Sequence, residues 1–570
     1  MARPAEFSEW GLPVAVLSLA AGALTALAFP PFGFLPGLLG YGLLMRLVDL
    51  PSAARPLDHD DFGLNQSKII KRNRFQRLER GAGGKPLRTF PHPALRSAFW
   101  RGWLAGLAYF LIATWWVFEA FLVDAKNQGW MAPFAVVLLA SGLGLFWGAA
   151  CLFYRALRPG GALRVLVFAG SFCLLEWMRG HVLTGFPWDL AGESWRAGTA
   201  PSQMAAVVGA YGLGWITVAA AAAPAMLVGA HRSRRAWAAA ALAVLAIVGL
   251  YAYGEDRLAH AAATPADAPM VRVVQARVEQ ESKYDERMFS AILDRYVKLT
   301  AKPSAKPIDI VVWPEGAVPD SANDYLADDT WTRAAIQAAL RPGQTLLDGA
   351  YRVAGPPDRP VYYNTVLALR AEPRGLEITG VYDKFRLVPF GEYMPMDSLM
   401  SRIGFKTLVH VGDGFTAGPR PHPIRPPGIP AVQPLICYES LFPGFTRAGA
   451  QDGGRARWIV NVSNDAWFGR TYGPVQHLNL ASFRAIEEGL PLVRATPTGV
   501  SAVIDAYGRT TPGLMLDQGV MGVIDAPLPA ALAVTPYFRH GNSLYWMMLV
   551  VSAAAAAASY RRNLGPRSAI

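Results

Sequence analysis

Apolar residues gather in long unbroken runs at residues 11–29, 32–49, 101–123, 131–155, 163–182, 203–229, 236–254 and 541–559. Each run has the length of a helix that crosses a bilayer, about 20 mostly apolar residues. The pattern therefore predicts eight spans, seven before residue 260 and one near the C-terminus. The first run ends at Pro30-Pro31 and is soon followed by the second, so it reads as a retained anchor rather than a cleaved leader. Between spans seven and eight the pattern changes. Short β-branched runs begin at Met270, Ile308, Thr345, Tyr363, Val432, Trp458 and Ser501, and helical periodicity covers roughly 285–301, 328–341 and 474–489. Alternation of this kind predicts a layered α/β domain. The chain divides into a spanning part at 1–260, a domain at 265–532, and a last span with its tail at 533–570.

Composition agrees with two parts in two solvents. Hydrophobic residues are 52% and charged residues 17% of the 570, poor in charge for a soluble globule of this size. The net charge of +12 is mainly a topology signal. Arg55, Lys68, Lys71, Arg72, Arg74, Arg77, Arg80, Lys85, Arg88 and Arg96 lie between spans two and three. Arg155, Arg158 and Arg164 lie between four and five, Arg232, Arg234 and Arg235 between six and seven, and Arg561 and Arg562 after eight. With alternating spans all fall on one side, which places both termini in the cytoplasm and the 265–532 domain outside it. The stretch 51–96 reads as a basic cytoplasmic loop. It has the charge to hold anionic lipid headgroups, but its spacing argues for no specific partner and for no nucleic acid.

Three cysteines make no disulfide framework, and only Cys437 stands outside the apolar runs. No clustered metal ligands, phosphate loop or dinucleotide fingerprint is present, so no metal or organic cofactor is expected. Glu315, Lys384 and Cys437 each close an apolar run. Taken singly they read as a solvated turn acid, a surface lysine and a small buried apolar side chain. Taken together they supply a carboxylate, an amine and a thiol. A thiol is a poor nucleophile until deprotonated, and a base and a cation are what it needs.

Their order resembles the carbon-nitrogen hydrolase (nitrilase) superfamily, which implies a four-layer αββα sandwich. Six blocks narrow the resemblance: Glu176 to Trp188, Trp313 to Pro319, Lys384 to Pro395, Ile436 to Glu439, Ser463 to Gly469 and Thr535 to Asn542. In this order, and with a block in the membrane half, they resemble the bacterial apolipoprotein N-acyltransferase family across the chain apart from 51–95. The resemblance implies an inner-membrane enzyme of α+β type, without metal or cofactor and monomeric. Its periplasmic domain would move the sn-1 acyl chain of a phospholipid, expected to be phosphatidylethanolamine, to the α-amine of the diacylglyceryl-cysteine of an apolipoprotein. It makes Cys437 the nucleophile, Glu315 the base and Lys384 the oxyanion cation, helped by the Tyr438 backbone N–H. Glu392 and Glu439 are implied to support the site, with structural hydrogen bonding as the alternative. Trp188 and Trp467 are implied to stand near the substrate entrance, with interfacial anchoring as the alternative. Tyr284 stands where the family is expected to have tryptophan. Segments 387–390 and 394–396 read as lids, hinged at Gly391 and Gly404.

Two other classes share these features. A membrane-tethered amidase would use the same three residues with water as acceptor. A transporter with an inactive outer domain would need more ionisable residues in its spans than Glu176 and Arg179, which at i,i+3 spacing pair locally.

Overall fold

The computed structural model describes residues 13–50, 93–228, 233–395 and 414–563. Most of the basic stretch, residues 51–92, lies outside the described residues, as do Arg232, Met396 and Gly404. Helices occupy all eight apolar runs: α1 Val14–Ala26, α2 Leu39–Asp49, α3 Pro93–Ala113, α4 Ala132–Ala156, α5 Arg164–Arg179, α6 Ala205–Ala222, α7 Arg234–Ala259 and, at the C-terminus, Ser543–Asn563. Among the described residues, five helical segments are long and apolar enough to cross a membrane: Ala125–Ala156, Gly161–Arg179, Pro201–Leu227, Arg234–Ala259 and Ser543–Arg561. The third run is shifted. Its helix starts at Pro93 and stops at Ala113, where the Thr114 hydroxyl turns back to the Phe110 carbonyl at 2.7 Å and Trp115 and Trp116 enter a turn.

Small residues let these helices touch. A methyl group at Gly22 would fall 1.8 Å from the Ala105 carbonyl oxygen, so α1 and α3 approach at backbone distance. Helix α6 is kinked at Gly209, whose φ of +69° suits a residue without a side chain. The kink leaves the Ala210 N–H without a helical partner, and Glu487, from the other half of the protein, accepts it at 2.8 Å.

The second half holds two sheets. Strands β1 Met270–Gln275, β2 Ile310–Val312, β3 Thr345–Ala354, β4 Val361–Glu372, β5 Gly375–Asp383 and β11 Gly522–Pro527 form one, in the order β11-β1-β2-β3-β4-β5. Strands β6 Val432–Ile436, β7 Trp458–Val462, β8 Leu492–Ala495, β9 Ser501–Ile504 and β10 Thr510–Leu516 form the other, in the order β10-β9-β8-β7-β6. Period-2 alternation sends Val271, Val273, Ile310 and Val312 inward against Val432, Ile436, Val460 and Val462 of the facing sheet. The opposite face of the first sheet, including Val274, Val311 and Leu346, packs on α8 Phe289–Thr300 and α9 Trp331–Ala339 through Ile292, Leu293, Tyr296 and Ile336. The outer face of the second sheet packs on α11 Gly473–Glu488, which follows α10 Phe445–Gly453 and precedes the last helix, α12. The layers are therefore α-β-β-α. Each fully buried valine or leucine contributes about 1.5–3 kcal/mol over an exposed one.

Strands β5, β8, β10 and β11 carry weak sequence signals. β8 is only Leu-Val-Arg-Ala, and β11 pairs antiparallel with β1, Met270 opposite Pro527 and Gln275 opposite Gly522, too far apart in the chain for a local pattern to report the pairing. Trp116 and Trp188 of the membrane half join the cluster of Leu435, Tyr438, Leu480 and Ala481, so the helix layer containing α11 is packed on both sides.

Candidate active site

The C-terminal ends of three strands bring the three residues to one end of the domain. Glu315 follows β2 by three residues, Lys384 follows β5 directly, and Cys437 follows β6 directly. β2 and β5 lie in one sheet and β6 in the other, so the site forms where both sheets end. At Cys437 the chain leaves its strand with a φ of +48° and enters a short 3₁₀ turn, Cys437–Leu441. A positive φ is rare for a residue with a side chain and marks a position held by its surroundings.

The Lys384 ammonium is buried between two carboxylates, 2.8 Å from Glu392 Oε1 and 3.3 Å from Glu315 Oε1. Asn364 Nδ2 donates to both of those oxygens, each at 2.7 Å. Glu315 Oε2 accepts the Asn464 backbone N–H at 2.8 Å, and Glu392 Oε2 accepts that of Val388 at 2.8 Å. Burial works against the Lys384 charge, but Glu315, Glu392 and the Cys437 sulfur outweigh it and raise its pKa above that of an ordinary lysine. The thiol of Cys437 is pushed up to about 12, first by burial and then by the Glu315 charge, with Lys384 pulling the other way. Both shifts favour a proton on the Cys437 sulfur and on the Lys384 nitrogen.

Glu439 is fully buried and faces backbone. Its Oε1 accepts the Tyr382 hydroxyl at 2.9 Å and the N–H groups of Phe385 and Arg386 at 2.8 and 3.1 Å, and its Oε2 accepts the Ile436 N–H at 2.9 Å. One carboxylate thus ties the segment after Lys384 to the strand that carries Cys437. Burial raises its pKa to about 7 against the pull of these hydrogen bonds.

Tyr438 donates its hydroxyl to the Gly185 carbonyl in the loop after α5. Trp188, in the same loop, is buried and donates to Gln476 Oε1 at 3.2 Å, with its ring against Trp116 and His477. Trp467 is half-buried beside the same cluster. Tyr284 is exposed and accepts from Gln280 Nε2 at 3.2 Å, while Gln280 Oε1 accepts from Asn464 Nδ2 at 2.8 Å, which links it to the shell around Glu315. Lys283 reaches the Glu315 carbonyl at 3.5 Å, and burial lowers its pKa to about 8.

The sequence reading missed a polar network beneath Cys437. The Cys437 carbonyl accepts from Ser440 Oγ at 2.8 Å and lies 3.3 Å from His477 Nε2. His477 Nδ1 lies 3.0 Å from Asp465 Oδ1, and Asp465 Oδ2 accepts from Arg494 at 2.6 Å. Burial opposes the Asp465 charge, yet Arg494 and His477 hold its carboxyl below the usual range. Asp465 lies in the block from Ser463 to Gly469, but His477 sits on α11 and Arg494 in β8, and only the fold brings the three together.

The two halves meet through polar contacts as well. Arg179, at the end of α5, holds the loop that Tyr438 meets by donating to the carbonyls of Phe186 and Trp188 at 2.6 and 2.9 Å, and lies 3.7 Å from Glu176. Arg484 of α11 contacts Glu193 Oε1 at 3.2 Å and Glu487 at 2.9 Å, all fully buried. Among the described residues no group of His, Cys, Asp and Glu has the arrangement of a metal site.

A carbon-nitrogen hydrolase model matches residues 270–537, and a model described as the apolipoprotein N-acyltransferase N-terminal domain matches 87–223. An apolipoprotein N-acyltransferase of Caulobacter vibrioides is 53% identical over 94% of this chain and 92% of its own length. One from Rhodopseudomonas palustris is 36% identical over 93% of this chain and 92% of its own. With a thiol, a carboxylate and an ammonium gathered at the strand ends of a nitrilase-like sandwich packed on apolar helices, and with these relatives along nearly its whole length, the chain belongs to the apolipoprotein N-acyltransferase family.

Proposed function

We propose that the chain moves the sn-1 acyl chain of a phospholipid, with phosphatidylethanolamine as the expected donor, to the α-amine of the S-diacylglyceryl-cysteine of an apolipoprotein, through a thioester on Cys437. The observation that carries this reading is the buried Lys384 ammonium held by Glu315 and Glu392 beside the Cys437 thiol. Glu315 takes the thiol proton as the sulfur attacks the ester carbonyl, and Lys384 with the Tyr438 N–H stabilises the oxyanion. The C–O bond then breaks and the alkoxide takes the proton from Glu315, leaving as lysophospholipid. In the second half, the neutral amine attacks the thioester and gives a proton to Glu315. The C–S bond breaks, and the thiolate recovers that proton. No step calls for a metal or organic cofactor.

Apposition to the membrane half supports acyl transfer over hydrolysis, because both lipidated substrates reach the site sideways from the bilayer and water is scarce there. On this reading residues 265–532 are the periplasmic catalytic domain, all eight helices span the bacterial inner membrane, and both termini are cytoplasmic. The enzyme acts as a monomer, and the segment 387–390, hinged at Gly391, covers the lipid entrance.

Mass spectrometry of the purified protein after incubation with phosphatidylethanolamine tests the reading, with Cys437→Ala as control. The expected result is an acyl adduct on Cys437 that disappears as an added diacylglyceryl-cysteine peptide gains an amide-linked chain. An adduct released only as free fatty acid would instead make the protein a hydrolase.

A further inference from the structure

Arg386 stands where the two halves meet, two residues after Lys384. Its backbone N–H is held by Glu439, its Nη1 donates to the Thr184 carbonyl at 3.1 Å, and the Phe442 ring lies 4.3 Å from its Cζ. Its Nε is buried without a hydrogen-bond partner. Three other arginines of this domain face a carboxylate, Arg352 with Asp383, Arg484 with Glu193 and Glu487, and Arg494 with Asp465, whereas Arg455 is held by the carbonyls of Leu532 and Glu488. Among the described residues no carboxylate forms an ion pair with Arg386. A guanidinium presents five N–H donors in a planar fork, and leaving its buried Nε–H unmatched is costly unless an anion is bound there.

The surroundings say which anion. The loop that carries Thr184 leaves the end of α5, one of the segments apolar enough to cross a membrane. Leu183 in that loop is 94% exposed, and Val182 and Phe385 are also exposed. Apolar side chains clustered on a surface at a helix end belong in the interfacial layer of a bilayer, at the depth of lipid headgroups. The anion at that depth is a phosphodiester, and the guanidinium fork matches two of its oxygens.

We infer that Arg386 binds the phosphodiester of the donor glycerophospholipid and thereby sets the position of its ester carbonyl relative to Cys437. This rests on the acyl-transfer reading above and adds to it the group of the donor that is recognised. The Arg386 backbone is tied through Glu439 to the strand that carries the nucleophile, so a lipid held by this side chain is held in register with the thiol.

The test compares two acyl donors on the full-length protein: dioleoylphosphatidylethanolamine and p-nitrophenyl palmitate, which has no phosphate. Thioester formation on Cys437 is timed by intact-protein mass spectrometry for wild type, R386Q and R386K. The expected result is a fall of about 10–100-fold in the phospholipid-to-phosphate-free rate ratio for R386Q, the range for loss of hydrogen bonds to a charged group. R386K keeps the charge but lacks the fork, and its ratio falls by less. An unchanged ratio in R386Q overturns the assignment, and an unchanged ratio accompanied by loss of co-purified phospholipid makes Arg386 a site for a resident lipid. If R386Q does not purify as a single species, the R386K ratio decides, and a wild-type value overturns the assignment. A wild-type protein that forms no thioester from either donor would instead remove the acyl-transfer reading itself.

Discussion

Lys384 Nζ lies closer to Glu392 Oε1, at 2.8 Å, than to Glu315 Oε1, at 3.3 Å. The ammonium is therefore anchored mainly by a carboxylate that takes no proton in the proposed cycle, which leaves Glu315 free to change protonation while the cation stays in place. Glu392→Gln should lower the rate of thioester formation by about a hundredfold, the scale of a misplaced catalytic group. Single-turnover acylation by phosphatidylethanolamine reads the loss. A wild-type rate would show that Glu315 alone positions the lysine.

Glu315 has two opposed effects on Cys437. As a base it promotes attack, but as a nearby negative charge it raises the thiol pKa, after the larger effect of burial. Glu315→Gln should abolish acyl transfer, a loss of about 10²–10⁴-fold for a general base, yet speed alkylation of Cys437 by iodoacetamide at a fixed pH. The pH profile of alkylation should move to lower pH in the variant. Slower alkylation would mean that the carboxylate activates the resting thiol.

Glu439→Gln replaces an acceptor that four donors share with a group that is half donor, and should cost about 2–4 kcal/mol of stability. The sign of its pH effect follows from a folded pKa near 7 against an ordinary 4.5. The folded protein binds the proton more tightly, so the Glu439 contribution to stability falls as pH rises from about 4.5 to 7 and is level above that. Thermal unfolding in detergent across this window should show the component in wild type and lack it in the variant.

Arg484 pairs with Glu193 and Glu487, and Glu487 also accepts the Ala210 N–H at the α6 kink. Arg484→Met should leave buried carboxylates without their cation and destabilise the protein by about 3–5 kcal/mol. Adding Glu193→Gln and Glu487→Gln should recover part of the loss. Thermal unfolding of the single and triple variants decides this, and equal midpoints would assign the cost to packing.

The positions of most helices, and the placement of Glu315, Lys384 and Cys437 at the ends of apolar strands, were legible in the sequence. Spans announce themselves because bilayer thickness imposes a length and an apolarity on a local stretch, and the three residues stand in local blocks at the ends of apolar strands. The chain's own order could not show what lay between those strands. That Glu439 serves backbone N–H groups, that Asp465, His477 and Arg494 underlie the Cys437 carbonyl, and that Arg386 faces the membrane loop are relations between residues tens to hundreds of positions apart. Local patterning reports which face of an element is buried. Only the tertiary structure decided which partner each buried polar group meets, because pairing across sheets and between the two halves is set by packing of the whole molecule.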